Sequence, residues 1–359
     1  MKEPLASIII LNYNGMEYIE PLFNSILAQD YKNYEIIFVD NASIDKSLEY
    51  VERNYPNVRI IKNSKNLGFA GGNNVGVSNA KGELIVFLNY DTVVEKKWLS
   101  ELVKSVLSDE KIISSHSITL DEGENYKKLP FIEKYVPEKV KTLNLVGRNV
   151  ITEVPYREDG FFFPSGCSMI YKRNLIEQPF DDLYFCYSED VYFGWLARLK
   201  GYKIVQVPTS IVHHAMPPEG REQKGDLLFY WERNRLLNFL IFYKVSTFLK
   251  IFPLLILDAI IVMLSFAIKK GKNSKEVLKE KGIFSNIFRC FLWLLTNIDE
   301  VISKRNKIQK EAKVKEKDVI KFMSCAFFPP SESKIKRIIN KLSYYYCLIM
   351  GIHTIEFTR

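Results

Sequence analysis

Cysteine is sparse and unpaired in its spacing. The five residues Cys167, Cys186, Cys290, Cys325 and Cys347 are odd in number and widely scattered, with no C-x-x-C. That excludes a zinc ribbon or redox pair and fits a reduced compartment. No charged, then apolar, then small-residue sequence precedes the first strand pattern, so the expectation is a domain that stays in the cytosol. The dinucleotide fingerprint and the P-loop are both missing, as is a Gly-rich, Arg-containing loop after the first strand. A nucleotidyltransferase of related topology is thereby disfavoured. The net charge of +8 over 359 residues is moderate. Lysine concentrates after Lys269, beside long apolar runs, which points to a membrane surface and not to nucleic acid.

Short β-branched runs alternate with helical patterns from Ser7 to about Ser115: Ser7–Leu11, Glu35–Val39, Val58–Ile61, Leu84–Leu88 and Lys111–Ile113. Strands apolar on both faces and separated by helices predict an α/β fold with a mostly parallel sheet covered on each side. Ligands of such sheets sit at the carboxyl ends of the strands. The polar residues gather there: Asn12 and Asn14 after the first run, Asp40, Asn41 and Ser43 after the second, Asn89 and Asp91 after the fourth.

Asp40 can accept a hydrogen bond from a pyrimidine ring N–H, or it can close an Asx turn or cap a helix. The segment Asn66–Gly76, with Gly68, Phe69 and Asn73, supplies glycines before a short helix, either to let backbone approach phosphate or to make a tight turn. Asp91 is an ionisable group directly after an apolar strand, where a divalent cation bridging a diphosphate gives it a purpose; a solvated loop acid is the plainer reading. Glu189 and Asp190 open a helical pattern after the aromatic run Tyr184–Tyr187, whose apolar surroundings raise a carboxylate's pKa toward useful basicity. They can equally be favourable charges in a first helical turn. One of His213 and His214 completes a metal site and the other packs or caps.

From His116 to Phe163 the periodicity weakens to loop or acceptor-side insertion. Ser165–Tyr171 reads as a strand, Glu189–Leu199 as a helix closed by Gly201, Tyr202–Val207 as a strand ended by Pro208, and Asp226–Tyr243 as a helix. Ile251–Ile268 is nearly uninterrupted apolar sequence, and Ile283–Ile298 is amphipathic. Lysine clusters on both sides of these runs favour docking on the membrane over crossing it. A span by Ile251–Ile268 and a buried helical subdomain are the alternatives.

In this order, Ser7–Asn14, Phe38–Ser43, Asn66–Asn74, Leu88–Asp91, Gly166–Ile170, Ser188–Asp190, Val212–His214 and Tyr230–Asn234 resemble glycosyltransferase family 2, inverting enzymes of GT-A fold, and most of all its rhamnosyltransferase-like branch. The resemblance implies a catalytic domain over 1–243 and a helical, basic, membrane-associating region over 244–359. It implies nucleoside contacts from Asp40 and Asn66 within a nucleotide site that includes Asn12, Asn41, Ser43, Gly68, Phe69, Asn73 and Asn89. It further implies Mg or Mn on Asp91 and His214, and Asp190 as catalytic base beside Glu189. Trp231 and Arg233 line the acceptor side or simply pack a helix. Asn89 stands where the family's D-x-D has its first acid, and Tyr192 where many members carry another acid. The implied partners are a dTDP-rhamnose or UDP-sugar donor and a lipid-linked or cell-surface glycan acceptor, at the cytoplasmic face of the membrane. A polyprenyl-phosphate sugar synthase and a non-catalytic nucleotide-sugar-binding membrane protein are the rival readings.

Overall fold

The computed structural model describes residues 3–121, 132–215, 224–270 and 277–357. Two compact units emerge, neither contiguous in sequence: Met1–Val136 with Phe163–Ala197 and Tyr202–Glu222, and Pro137–Phe162 with Arg198–Gly201 and Gln223–Arg359.

The first unit is built on a sheet of eight strands. β1 (Ala6–Asn12), β2 (Tyr34–Asp40), β3 (Arg59–Lys62) and β4 (Leu84–Leu88) form the parallel block that the apolar runs predict, in the order β3-β2-β1-β4. Beyond β4 the sheet becomes mixed. β9 (Ser168–Lys172) lies antiparallel between β4 and β6 (Ile112–Asp121), followed by β10 (Lys203–His214) parallel to β6 and β5 (Thr92–Val94) antiparallel at the edge. The chain moves outward from β1 through β2 and β3 and then returns to β4 on β1's other side. Such a reversal opens a crevice beyond the carboxyl ends of β1 and β4.

Helices α1 (Met16–Leu27), α2 (Ser47–Asn54), α3 (Gly68–Asn79) and α4 (Trp98–Leu107) pack on this sheet. α1 buries Ile19, Leu22, Phe23 and Ile26, a 3.6-residue stripe facing Ile8, Ile10 and Phe38 within one apolar core. α3 works differently. Its glycines admit the sheet's side chains, since a Cβ on Gly72 would collide with Leu11 and one on Gly76 with Ile9. Helix α5 (Glu189–Leu199) has the expected bounds, and Gly201 beyond it adopts φ +83°, the left-handed geometry of a helix stop.

Pro208 does not end its strand. β10 continues to His214, and the register against β6 shifts between Val207 and Ile211. A residue without an N–H is tolerated where a bulge already interrupts the ladder. The weakly periodic region also holds more order than its sequence suggests. β6 runs to Asp121, and β7 (Lys139–Leu143) pairs antiparallel with β8 (Asn149–Pro155); residues 122–131 lie outside the described residues.

That hairpin belongs to the second unit, with helices α6 (Lys224–Phe242), α7 (Val245–Lys270), α8 (Val277–Thr296), α9 (Ile298–Glu311), α10 (Glu316–Ile320) and α11 (Lys334–Ile349). The hairpin is tied to the later chain by Thr142 Oγ1 donating to the Phe322 carbonyl at 2.8 Å and by the Asn144–Ser324 bridge. Within α7, Val245–Leu264 is long and apolar enough to cross a membrane.

Four polar groups sit buried where β9, β6, β10 and α4 meet. The Trp98 indole N–H donates to Ser168 Oγ at 2.8 Å, and Ser168 and Ser210 each hydrogen-bond the Ser117 hydroxyl. Ser168→Ala strands the indole donor, and the expected loss is about 1–3 kcal/mol of unfolding free energy by urea titration.

Candidate active site

The polar residues that close β1 and β2 are organised by two asparagines. Asn12 donates from Nδ2 to Ser47 Oγ at 2.8 Å, Ser43 Oγ at 3.0 Å and Asp40 Oδ1 at 3.4 Å. Asp40 Oδ2 accepts from the Ser43 N–H at 3.2 Å, so this buried carboxylate does close a turn. The turn is tight enough to hold Ala42 at φ +64°, and Asn14 faces it at φ +55°. Asn41 gathers the next loop: its Nδ2 donates to Asn66 Oδ1 at 2.8 Å, and its Oδ1 accepts from Asn63 Nδ2 and the Leu67 N–H.

The head of α3 is largely occupied by its own neighbours. The N–H groups of Leu67, Gly68 and Ala70 donate to Asn41, Asn66 and the Phe185 carbonyl. Glycine at 68 is required by φ +72° and by the Phe185 carbonyl, into which a Cβ would run. Gly68, Gly72 and Gly76 thus serve close packing. Asn73 is buried and donates back to the Phe69 carbonyl at 2.9 Å.

At the end of β4 the chain turns through Asn89, Tyr90 and Asp91 into β5. Asn89 N–H donates to the Cys167 carbonyl at 2.9 Å, and Thr92 Oγ1 donates to the Asn89 carbonyl at 2.7 Å. Antiparallel pairing sets His214 opposite Thr92, and the Ala215 N–H donates to the Asp91 carbonyl at 2.9 Å. In that register His214 Nε2 stands 3.2 Å from Asp91 Oδ2. His213, on the opposite face, meets Glu95 at 3.0 Å. Burial, and next the Asp91 charge, holds the Tyr90 hydroxyl above its ordinary pKa.

Among the described residues no group of three His, Cys, Asp or Glu is placed to hold a metal ion. A two-residue set is nonetheless suitable when a diphosphate and water complete the shell, as hard divalent cations accept. An imidazole nitrogen and a carboxylate oxygen 3.2 Å apart, with Asp91 only 7% exposed, fit two adjacent positions on such an ion.

Asp190 comes to the same region through the segment before β9. A Cβ on Gly166 would lie 3.7 Å from Asp190 Oδ2 and 3.8 Å from the Phe69 ring, both ordinary contacts. Gly166 precedes Cys167, the partner of Asn89, so two consecutive residues separate the Asn-Tyr-Asp turn from the α5 carboxylates. The approach to α5 is strained: Phe185, Tyr187 and Ser188 have φ of 32°, 68° and 63°. Non-glycine residues in this region cost about 1–3 kcal/mol each and persist where the surroundings enforce them, often at active sites.

The two carboxyls of α5 divide the roles that the sequence offered jointly. Glu189 is 7% exposed, with Oε2 lacking a hydrogen-bond partner, and burial, reinforced by Asp190, pushes it well above the usual carboxylate range. Asp190 Oδ1 accepts from the Val191 N–H at 2.8 Å. Trp231 and Arg233 belong to the second unit, where Arg233 lies 4.5 Å over the Trp293 ring and 4.9 Å over Tyr230, and Arg148 lies 5.3 Å over Trp231. Ser47, Asn63 and Glu95 take part in these networks without having been singled out. Asn63 was findable, since it directly follows β3.

Residues 7–178 match the model of glycosyl transferase family 2. Over those residues, just under half of its length, the chain is similar to family 2 glycosyltransferases. It is 25% identical over 251 residues to an uncharacterized glycosyltransferase of Haemophilus influenzae, covering 64% of this chain and 74% of that one. It is 26% identical over 228 residues to the poly(ribitol-phosphate) beta-N-acetylglucosaminyltransferase TarS of Staphylococcus aureus, covering 61% of this chain and 37% of TarS. It thus spans little more than a third of TarS. GalNAc-T7, solved with UDP, GalNAc and Mn2+, superposes with a TM-score of 0.52 at 17% identity, over 64% of this chain and 47% of that one, and shares the fold.

A carboxyl that keeps its proton in the fold, after the unfolded chain has released it near pH 4.3, costs stability at every pH above that value. Glu189→Gln is therefore expected to raise Tm at pH 7, with the gain vanishing by about pH 4. A gain independent of pH would mean that Glu189 is ionised in the fold.

Proposed function

We propose that this glycosyltransferase moves a sugar, with inversion, from a nucleotide diphosphate to a hydroxyl of a lipid-linked or cell-surface glycan. The observation that carries the reading is the placement of Asp190 beside Gly166, one residue from the carbonyl that holds the Asn89–Asp91 turn. A carboxylate and a diphosphate-directed pair thereby share one crevice.

The acceptor oxygen attacks the anomeric carbon while Asp190 takes its proton, and the bond from that carbon to the diphosphate oxygen breaks on the opposite face. Burial, reinforced by Asp190, holds the Glu189 carboxyl well above the usual carboxylate range, which favours Asp190 as the base of the pair. Asp91 and His214 would hold a Mg or Mn ion, which would supply positive charge to offset that growing on the diphosphate. Asp40 and the Asn41–Asn66 pair border the place for the base and ribose, with Asn12 and Ser43 fixing the loop beneath. A uridine diphosphate sugar is the donor that the kinship with TarS favours; dTDP-rhamnose is the donor of the rhamnosyltransferase-like branch that the motifs resemble. Trp231 and Arg233 are assigned to the acceptor side.

The exposed apolar helices of the second unit favour the cytoplasmic membrane surface as the working place. They also favour a second reading, in which the acceptor is a polyprenyl phosphate. That acceptor is ionised near neutral pH and needs no general base. Asp190→Asn distinguishes them: for a hydroxyl acceptor, kcat should fall by about 10²–10⁴ while thermal stabilisation by the donor persists. Near-normal transfer to polyprenyl phosphate by the same variant would establish the second reading. His214→Ala should raise the Mn concentration needed for half-maximal donor binding at least tenfold and leave Tm without metal little changed, as isothermal titration would record.

A further inference from the structure

We infer that α7 lies in the plane of an anionic lipid surface, side by side with α11, and does not cross the bilayer. The inference deepens the membrane assignment above and is independent of the catalytic one.

The observation against a span is a charged cluster at the middle of α7. Asp258 is buried and receives Arg148 in a two-pronged contact, Nε to Oδ1 at 2.7 Å and Nη2 to Oδ2 at 2.8 Å. Arg148 also meets Glu232 at 3.3 Å, and Arg235 joins Glu232 at 2.6 Å and Asp258 at 3.4 Å. Arg148 sits in the turn between β7 and β8, while Glu232 and Arg235 sit on α6. A crossing by Val245–Leu264 would carry Asp258, its charged partners and a β-turn into hydrocarbon. Irregular backbone and charge are expensive there.

The two faces of α7 agree with this. Ile251, Leu254 and Asp258, at helical spacing, are buried against the unit. Val245, Leu249, Phe252, Ile256, Ile260 and Met263 form the opposite stripe and stay exposed, Leu249 by 66%. One buried and one bare apolar face is the pattern of a helix half sunk in an interface.

α11 supplies the charge. Ile335, Ile338, Leu342, Tyr345 and Ile349 recur at three- and four-residue spacing and are exposed, Leu342 by 62% and Ile349 by 82%. Lys334, Arg337 and Lys341 flank them, and Lys334–Ile349 contains no acid. The two helices are joined where Tyr346 OH donates to the Lys250 carbonyl at 2.7 Å and Lys250 Nζ donates to the Met350 carbonyl at 2.8 Å. An apolar stripe rimmed by uncompensated cations matches anionic headgroups over acyl chains. A second copy of the same basic helix would meet like charge.

The test is flotation of the full chain with phosphatidylcholine vesicles, with and without phosphatidylglycerol. Binding is expected to need the anionic lipid. It should fall about tenfold or more in Lys334→Glu/Lys341→Glu and in Leu342→Asp, with circular dichroism unchanged. Should Leu342→Asp unfold, the charge-reversal variant carries the test. Nitroxide labels on Phe252→Cys and Ile260→Cys, with Cys167 and Cys186 replaced by serine, should report equal depth; a span separates them by about 12 Å. Depths differing by that amount, undiminished binding of the variants, or a loss explained by conversion of a dimer to monomer would each overturn the proposal. Donor-induced thermal stabilisation, measured without lipid, should be the same in the charge-reversal and Leu342→Asp proteins as in the unaltered chain, so failure of docking is separable from failure of the catalytic reading.

Discussion

The register between β5 and β10 decides what the centre of this molecule is able to do. Three pairs, Val94 with Val212, Val93 with His213 and Thr92 with His214, bring one imidazole to Asp91 and turn the other toward Glu95. Side chains alternate across a sheet, so a slip of one residue would take His214 away from the Asp91 carboxylate. The flanking bonds, Ala215 N–H to Asp91 and Glu95 N–H to Ile211, pin the register at both ends. The bulge at Val207–Ile211 matters for the same reason, because it sets the phase in which β10 arrives at the edge.

Around that pair, positions follow from where strands end. β1, β2 and β4 are parallel neighbours, so the residues after them share one rim of the sheet. Asn12, Asp40 and Asn89 reach that rim from separate parts of the chain for the same geometric reason. β9, running antiparallel to β4, begins where β4 ends and so carries Gly166 and Cys167 to the rim as well. α5 then adds its carboxyls from a strained turn. A site assembled from strand ends has rigid parents, which is what holding a nucleophile and a leaving group in line demands.

Much of this was legible in the sequence, and the misreadings are instructive. The apolar runs of β1, β2 and β4 and the polar residues after them are local signals, since a strand buried on both faces must be apolar throughout. The glycines of Asn66–Gly76 left phosphate approach and a tight turn both open; the neighbours of Gly72, Gly76 and Gly68 are Leu11, Ile9 and the Phe185 carbonyl, none of which is near in sequence. Pro208 was read as a stop, correctly as to the lost donor, but β10 itself bulges against β6 between Val207 and Ile211 and so absorbs it. Glu189 and Asp190 look equivalent as adjacent letters on a helix start. Only packing buries one and leaves the other beside Gly166.

The sequence by itself determined the α/β class, the parallel block and the carboxylates at the strand exits, because periodicity and charge are properties of short stretches. The tertiary structure decided which histidine meets Asp91, which carboxyl is buried, what the glycines touch, and that the long apolar helix is pinned at its middle by Arg148. Each of those depends on residues far apart in the chain arriving at a common distance, and register, burial and ion pairing at such distances are set by the fold as a whole.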